Sequence, residues 1–292
     1  MTPHQPGFSG GTLDRADHLR GNEEALLALR QHTHARLLVL NGFDPVLTTD
    51  GALQWIPMAE AGAHVHLIFL GIADDVPHFV ALSQSNLDAP SFRSPATAAA
   101  LAVLGAQDLA IYGTARSLMD WHSRHRFCGK CGGPARAHRG GWGRLCTQCG
   151  SEHFPRVDPV VIMLAQHQGK ALLGRQASWP TGRYSALAGF LEPGETMEEA
   201  VARELFEEAG VRATAVRYIT SQPWPFPAQL MLACIAEVQS DTLAIATAEI
   251  EDAIWVGKEE AKAALSGDAT ARFQAPPAFA VAHSLLRYWA ES

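Results

Sequence analysis

Apolar and polar positions change their rhythm several times along this chain. Residues 23–34, "EEALLALRQHTH", space their aliphatics for a short, weak helix. The runs "ARLLVLNG", "ALQWIPM", "HVHLIFLGI" and "HFVALS" follow, punctuated by Gly, Pro, Asn or Asp, and predict strands. "DAPSFRSPAT", residues 88–97, predicts a loop. Residues 98–122 return to helical spacing, with Leu101, Leu104, Leu109, Ala115, Leu118, Met119 and Trp121 among the apolar positions. The expectation is a flexible leader at 1–22 and a β-rich N-terminal domain at 23–123 that ends in a helix. Residues 1–122 contain no catalytic constellation, so this part is expected to be structural or dimer-forming.

Residues 124–154 are rich in Gly, Cys, Arg and His and poor in aliphatics. Beyond them "PVVIMLAQ" and "GKALLGRQ" predict a hairpin around "HQG", then a loop, then a helix at 196–209. Strands near 213–221, 229–238 and 252–257 follow, with helices near 258–265 and 278–290. Interleaved strands and helices predict an α+β domain over 155–292.

Composition narrows the picture. In 292 residues, 47% hydrophobic and 18% charged, a sizeable core can form. A net charge of −7 argues against coating duplex DNA, which needs a broadly basic surface. No apolar run reaches the roughly 18–20 residues needed to cross a bilayer. The start, "MTPHQPGFSGGTLDRADHLRGN", has no apolar core behind a basic head. The expected location is the cytoplasm, without membrane attachment.

Cys128-x2-Cys131-x14-Cys146-x2-Cys149 has the spacing of a tetrahedral thiolate site. The alternatives are free thiols or a redox pair, but the doubled CxxC favours one structural Zn²⁺, closed to water and supplying folding energy to a segment with little core. Cys234, in the strand-like "LMLACIAEV", reads as a buried, inert thiol. Arg124, Arg126, Lys130, Arg136, Arg139 and Arg144 fall within 124–144 without an intervening Asp or Glu. Such a ribbon either guides a polyphosphate or an RNA 5′ end, or is simply solvated.

The stretch "AGFLEPGETMEEAVARELFEEAGV" poses a sharper problem. On a helix at about 100° per residue, Met197, Ala200, Val201 and Leu205 share one face, and Glu204 and Glu208 fall within it, with Glu207 at its margin. Inward carboxylates one turn apart repel each other and lose hydration. Protonation, arginine pairing or a divalent cation would resolve this; Arg203 is near but projects to the opposite flank, and hard oxygen ligands on adjacent turns suit Mg²⁺ or Mn²⁺. Thr196 and Glu199 form a potential capping box, Gly210 a C-terminal stop, and Arg203 a brace to Glu195 or Glu207.

Gly189, Glu195, Arg203-Glu204-Leu205, Glu207-Glu208, Gly210 and Val211 match G-x5-E-x7-R-E-U-x-E-E-x-G-U, with U a bulky aliphatic. This resembles the Nudix hydrolase signature. The resemblance implies an α/β/α sandwich whose loop–helix–loop binds divalent metal and attacks a nucleoside diphosphate linkage. A second motif, "SQPWPFPAQLM" at 221–231, alternates three prolines with Trp224 and Phe226. By itself it reads either as a rigid platform for a flat heteroaromatic ring or as a packed Pro-aromatic corner. Together with "RFCGKCG" and "YSALAGFLEPGE", it makes residues 98–292 resemble the NADH pyrophosphatase (NAD diphosphatase) family.

That resemblance implies metal-dependent hydrolysis of NADH or NAD⁺ to nicotinamide mononucleotide and AMP, removal of NAD caps from RNA, and a homodimer. It implies catalytic metal ligands at Glu204, Glu207, Glu208, Glu249 and the Ala188 carbonyl. For substrate it implies Phe154, Phe190, Gln222, Pro223, Trp224, Pro225, Phe226, Pro227, Ala228, Gln229 and Ala282. Phe154 replaces a more usual Tyr, and Gln229 stands where Ser is usual. Arg175 or Arg183 offers a charge for phosphate oxygens. The alternatives are another nucleoside diphosphate derivative as substrate, or a non-catalytic zinc-ribbon RNA sensor; intact box glutamates argue against the second.

Overall fold

The computed structural model describes residues 5–62, 66–82, 94–246 and 249–292. The chain divides into two compact units: residues 158–223 and 229–292 with the chain start through Gly7, and residues 8–157 with 224–228. The fold is α+β with several sheets.

The first unit is built on a six-stranded mixed sheet. Its central strand, Asp158–His167, runs parallel to Gln229–Val238 and antiparallel to both Lys170–Arg175 and Leu187–Phe190. The run "PVVIMLA" is apolar at every position because this strand is covered on both faces. Val161, Met163 and Ala165 join a core with Ala200, Val201, Leu205 and Ala209 of the helix Met197–Ala209. The helix Val281–Glu291 also packs on the central strand and on Gln229–Val238. Trp289 Nε1 donates to Gln166 Oε1 at 2.8 Å.

The helix Met197–Ala209 starts and stops where local chemistry requires. Thr196 Oγ1 accepts from the Glu199 amide at 3.3 Å, and Glu199 returns a bond to the Thr196 amide at 2.7 Å. Gly210 ends the helix at φ 74°, a conformation that suits glycine. A Cβ there would meet the Ala244 Cβ at 2.7 Å, so the following segment also requires the glycine.

The second unit holds a four-stranded sheet in the order Trp55–Pro57, Arg36–Leu38, Val76–Leu82, His66–Ala73. Beside it lie the helix Ala106–Arg124 and a three-stranded ribbon of Ala135–His138, Gly143–Cys146 and Glu152–His153. Within this unit the ribbon packs against the sheet. Trp142 Nε1 donates to the Phe69 carbonyl at 2.6 Å, and the Arg20 guanidinium lies 3.7 Å from the Trp142 ring centroid.

Two expectations differ from the structure. Residues 5–22 are packed rather than a free leader: Phe8 and Ala16 are buried, and Asp14 and Ile72 exchange two backbone bonds of 2.8 Å. The apolar anchors here are too sparse to produce a periodicity. The single helix expected at 98–122 is two, Pro95–Val103 and Ala106–Arg124, because the backbone turns extended at Leu104 and Gly105. Ser94 caps the first by accepting from Thr97; residues 88–93 of the expected loop lie outside the described residues.

Candidate active site

The strand Leu187–Phe190 and the helix Met197–Ala209 bring Gly189 against Glu204. A Cβ on Gly189 would fall 1.8 Å from the Glu204 Cδ, so no other residue fits without moving that carboxylate. Glu204 is 8% exposed and Glu208 7%. Glu207 is on the open side of the helix, and Glu249, beyond the strand Gln229–Val238, is exposed.

Arg203 organises the acidic face. Its guanidinium donates to Glu195 at 2.6 and 3.1 Å, Glu204 at 2.9 Å, Glu207 at 3.0 Å and the Phe190 carbonyl at 2.9 Å. Pairing with Glu204 corrects the expectation that Arg203 points away from it. The long side chain curls back, and a five-donor fork serves several acceptors at once. Hydrogen bonds from Arg203, then from the Glu192 amide, hold Glu195 below the usual carboxylate range, and hydrogen bonds to Glu195 first, then to Glu204 and Glu207, raise Arg203. Burial raises Glu204 despite Arg203.

Glu208 has no such partner. Its Oε2 is buried and makes no hydrogen bond among the described residues. Burial first, then the charges of Glu204, Glu249 and Glu207, push its carboxyl up to about 7. An orphaned carboxylate oxygen among other carboxylates fits a divalent cation with hard-oxygen preference. The four glutamates influence one another, yet their oxygens do not close into a cluster as tight as the sulfurs described next.

The sulfurs of Cys128, Cys131, Cys146 and Cys149 lie within 4.8 Å of one another. Cys128–Cys149 and Cys131–Cys146 are 3.7 and 3.5 Å apart. Four thiolates at ~2.3 Å from zinc stand about 3.8 Å apart, so the quartet fits a tetrahedral Zn²⁺. His153 Nε2 reaches Cys128 Sγ at 3.2 Å from outside the quartet. Cys234 is buried, as its strand predicts, and burial pushes its thiol up to about 12.

The residues carried over for substrate separate into several groups. Phe190 and Phe154 are 53% and 58% exposed, Phe190 in the first unit and Phe154 in the second. Gln229 opens its strand opposite Asp158 and is half-buried. Gln222 is fully buried: its amide donates to the carbonyls of Gly7 and Phe279 at 2.8 and 2.7 Å, and its oxygen accepts from the Val281 amide at 2.8 Å. Those bonds occupy the side chain in structural work. Ala282 is likewise buried in its helix. Pro223 is exposed at the end of the strand Ala213–Trp224.

Residues Trp224–Ala228 belong to the second unit, where the Trp224 and Phe226 rings meet other side chains and stay half-buried. Phe8 meets Trp224 and Phe226 edge-on at 5.8 and 6.1 Å. Arg116, 1% exposed, donates to the Pro225 carbonyl at 3.1 Å and sits 4.8 Å from the Phe226 ring centroid; Pro227 and Ala228 complete the turn. Neither Phe8 nor Arg116 carried a signal in the sequence, because each acts on residues more than a hundred positions away. Arg175 is engaged by Glu251 at 2.6 Å and by two loop carbonyls, so it is not open to phosphate. Arg183 Nε is buried and has no partner among the described residues.

Comparison with known proteins places these features in context. Residues 155–275 match the Nudix domain, and residues 123–154 match the NADH pyrophosphatase zinc ribbon domain. The NAD-capped RNA hydrolase NUDT12 of Homo sapiens is 33% identical over 335 residues, covering 97% of this chain and 72% of that protein. The NAD-capped RNA hydrolase NudC of Mycobacterium tuberculosis (strain ATCC 25177 / H37Ra) is 36% identical over 304 residues, covering 98% and 95%. A Nudix hydrolase structure from Nitrosomonas europaea aligns with a TM-score of 0.44 and 24% identity, over 57% of this chain and 90% of that one.

Proposed function

This chain belongs to the NADH pyrophosphatase family of zinc-ribbon Nudix hydrolases, and from that premise we propose that it hydrolyses the diphosphate bond of NADH and NAD⁺ and removes NAD caps from RNA. The products are AMP and nicotinamide mononucleotide, reduced or oxidised; from a cap, the mononucleotide and a 5′-monophosphorylated RNA. The finer assignment is NAD diphosphatase. The observation that carries this reading is the buried Glu208 oxygen without a partner, on the same helix as Glu204.

Glu204, Glu207, Glu208 and Glu249, with the Ala188 carbonyl, would hold Mg²⁺ or Mn²⁺. Such ions, when bound, neutralise diphosphate charge and lower the pKa of a coordinated water. Arg203 keeps Glu204 and Glu207 oriented, while Gly189 leaves room for the Glu204 carboxylate. Glu208, with its carboxyl pushed up to about 7, must release a proton at neutral pH to serve as a ligand. Phe190, exposed next to Gly189, is a candidate ring for stacking a base. The family resemblance extends the proposal to a homodimer acting in the cytoplasm; no helix among the described residues is long and apolar enough to cross a membrane.

The test is Mg²⁺- and Mn²⁺-dependent hydrolysis of NADH beside NAD-capped RNA, with chromatographic identification of products. Release of AMP and reduced nicotinamide mononucleotide from NADH is expected. Turnover confined to a nucleotide sugar or a dinucleoside polyphosphate would replace the reading, and metal-independent RNA binding without turnover would end it.

A further inference from the structure

The cations of the zinc ribbon divide into two sets. Arg124 pairs with Asp120 at 2.9 Å, and Arg139 reaches Asp17 at 3.4 Å. Arg144 is buried, donating to His122 Nδ1 at 2.8 Å and to the Ala135 carbonyl. These three hold the fold together. Arg126, Lys130 and Arg136 are exposed, and none has a carboxylate partner among the described residues. The ribbon's own carboxylate, Glu152, is engaged by His138 at 3.2 Å.

Between the free cations stands an aromatic ring. Phe127 is 66% exposed, higher than any other large hydrophobic side chain among the described residues. It is not a loop-tip accident. An antiparallel bridge joins Phe127 to Pro134, and the Ala135 amide donates to the Arg126 carbonyl at 3.0 Å. That pairing sets Arg126 and Phe127 beside the chain that continues into Arg136. Cys128, the next residue, anchors the other side to the thiolate cluster, and Lys130 lies on the same cysteine turn. The backbone beneath the patch is therefore paired on one side and tied to the cysteine cluster on the other.

A positive patch interleaved with an exposed ring suits single-stranded nucleic acid, whose phosphates meet the cations and whose bases stack on the ring. On a chain of net charge −7 such a patch is a local reversal that attracts a polyanion where the remaining surface repels it. NADH offers two phosphates; an NAD-capped RNA offers a row of them. We infer that Arg126, Phe127, Lys130 and Arg136 form a docking surface for the RNA chain that follows the cap, used by capped RNA and not by free NADH. This inference rests on the proposed cap-removing activity. The surface supplies affinity for RNA and plays no part in the hydrolysis itself.

The experiment compares R126E/K130E/R136E and, separately, F127A with the wild-type protein. NADH and an NAD-capped single-stranded RNA are assayed in parallel over a range of salt, with zinc content and oligomeric state measured on each protein. The charge-reversed variant should lose about tenfold or more in kcat/KM on capped RNA, with NADH turnover unchanged within about twofold. Its log–log salt slope on RNA should become shallower by about 2, from three lost phosphate contacts at ~0.7 each. F127A should weaken RNA, again without affecting NADH. Wild-type kinetics on capped RNA in both variants would overturn the inference while leaving the hydrolase reading intact. Equal losses on NADH and RNA would also overturn it, as would a change in oligomeric state with RNA kinetics preserved, which would assign the patch to a second copy. If the wild-type protein cleaves neither substrate, the proposed function itself fails.

Discussion

Gly189 and Glu204 are in such close register that a Cβ on the glycine would lie 1.8 Å from the glutamate's carboxyl carbon. A strand residue is thus kept bare to make room for an acid on a neighbouring helix. Gly189→Ala should push the Glu204 carboxylate off its Arg203 contact. A fall in turnover of about a hundredfold or more is expected, with weaker Mn²⁺ binding measured by electron paramagnetic resonance. Unchanged Mn²⁺ affinity would separate Glu204 from the metal.

Glu208 supplies a pH signature. In protein carrying zinc but no Mg²⁺ or Mn²⁺, its folded carboxyl is raised from 4.5 to about 7. A raised carboxyl favours the protonated folded state, so its stabilisation is fully present below about 4.5 and is lost as pH rises through about 7. The predicted swing between pH 5.5 and 8 is about 2 kcal/mol at most. Chemical denaturation at pH 5.5 and 8 measures it, and Glu208→Gln should flatten the difference while lowering Mg²⁺-dependent turnover by several orders of magnitude.

Arg203 makes five hydrogen bonds to three carboxylates and one carbonyl. Arg203→Lys keeps the charge but not the fork. The expected result is a ten- to hundredfold drop in kcat and a rise in the Mg²⁺ concentration needed for half-maximal rate, with about 1–3 kcal/mol lost in stability. A variant that differs only in stability would reduce Arg203 to a structural brace.

Zinc is expected to be required for the ribbon's structure. Cys146→Ser leaves three thiolates where four support a closed site. The segment should then lose zinc and become open to proteolysis between 126 and 150, since the metal's contribution is on the order of 10 kcal/mol. Trp142, held by the Phe69 carbonyl, reports the change in near-ultraviolet circular dichroism.

Arg116 ties the helix Ala106–Arg124 to the turn Trp224–Ala228 through the Pro225 carbonyl and the Phe226 ring. If that turn receives substrate, Arg116→Met should raise KM for NADH about tenfold and change kcat much less. Assays below the variant's melting range separate this from unfolding. An unaltered KM would detach the turn from binding.

The signature helix was legible because its determinants are close in the chain. Thr196, Glu199 and Gly210 act within a turn or two, and the apolar face follows from a 3.6-residue period. The Cys quartet was legible for the same reason, as two local turns joined by a short excursion. The strands Asp158–His167, Lys170–Arg175 and Gln229–Val238 announced themselves as apolar runs, whereas Leu187–Phe190, only four residues long, lies in the stretch expected to be a loop. The helix break at Leu104–Gly105 did not, since apolar spacing continues across it.

The sequence by itself determined the signature helix and its caps, the thiolate set and the inward position of Glu204 and Glu208, because each depends on spacing along a regular backbone. The tertiary structure decided which carboxylate Arg203 reaches, that Glu208 rather than Glu204 keeps an orphaned oxygen, and that Gln222 binds backbone. It also decided that Phe8 and Arg116 close over the Pro-aromatic turn. Those outcomes depend on side-chain direction and on partners more than 200 positions away, which a linear pattern does not encode.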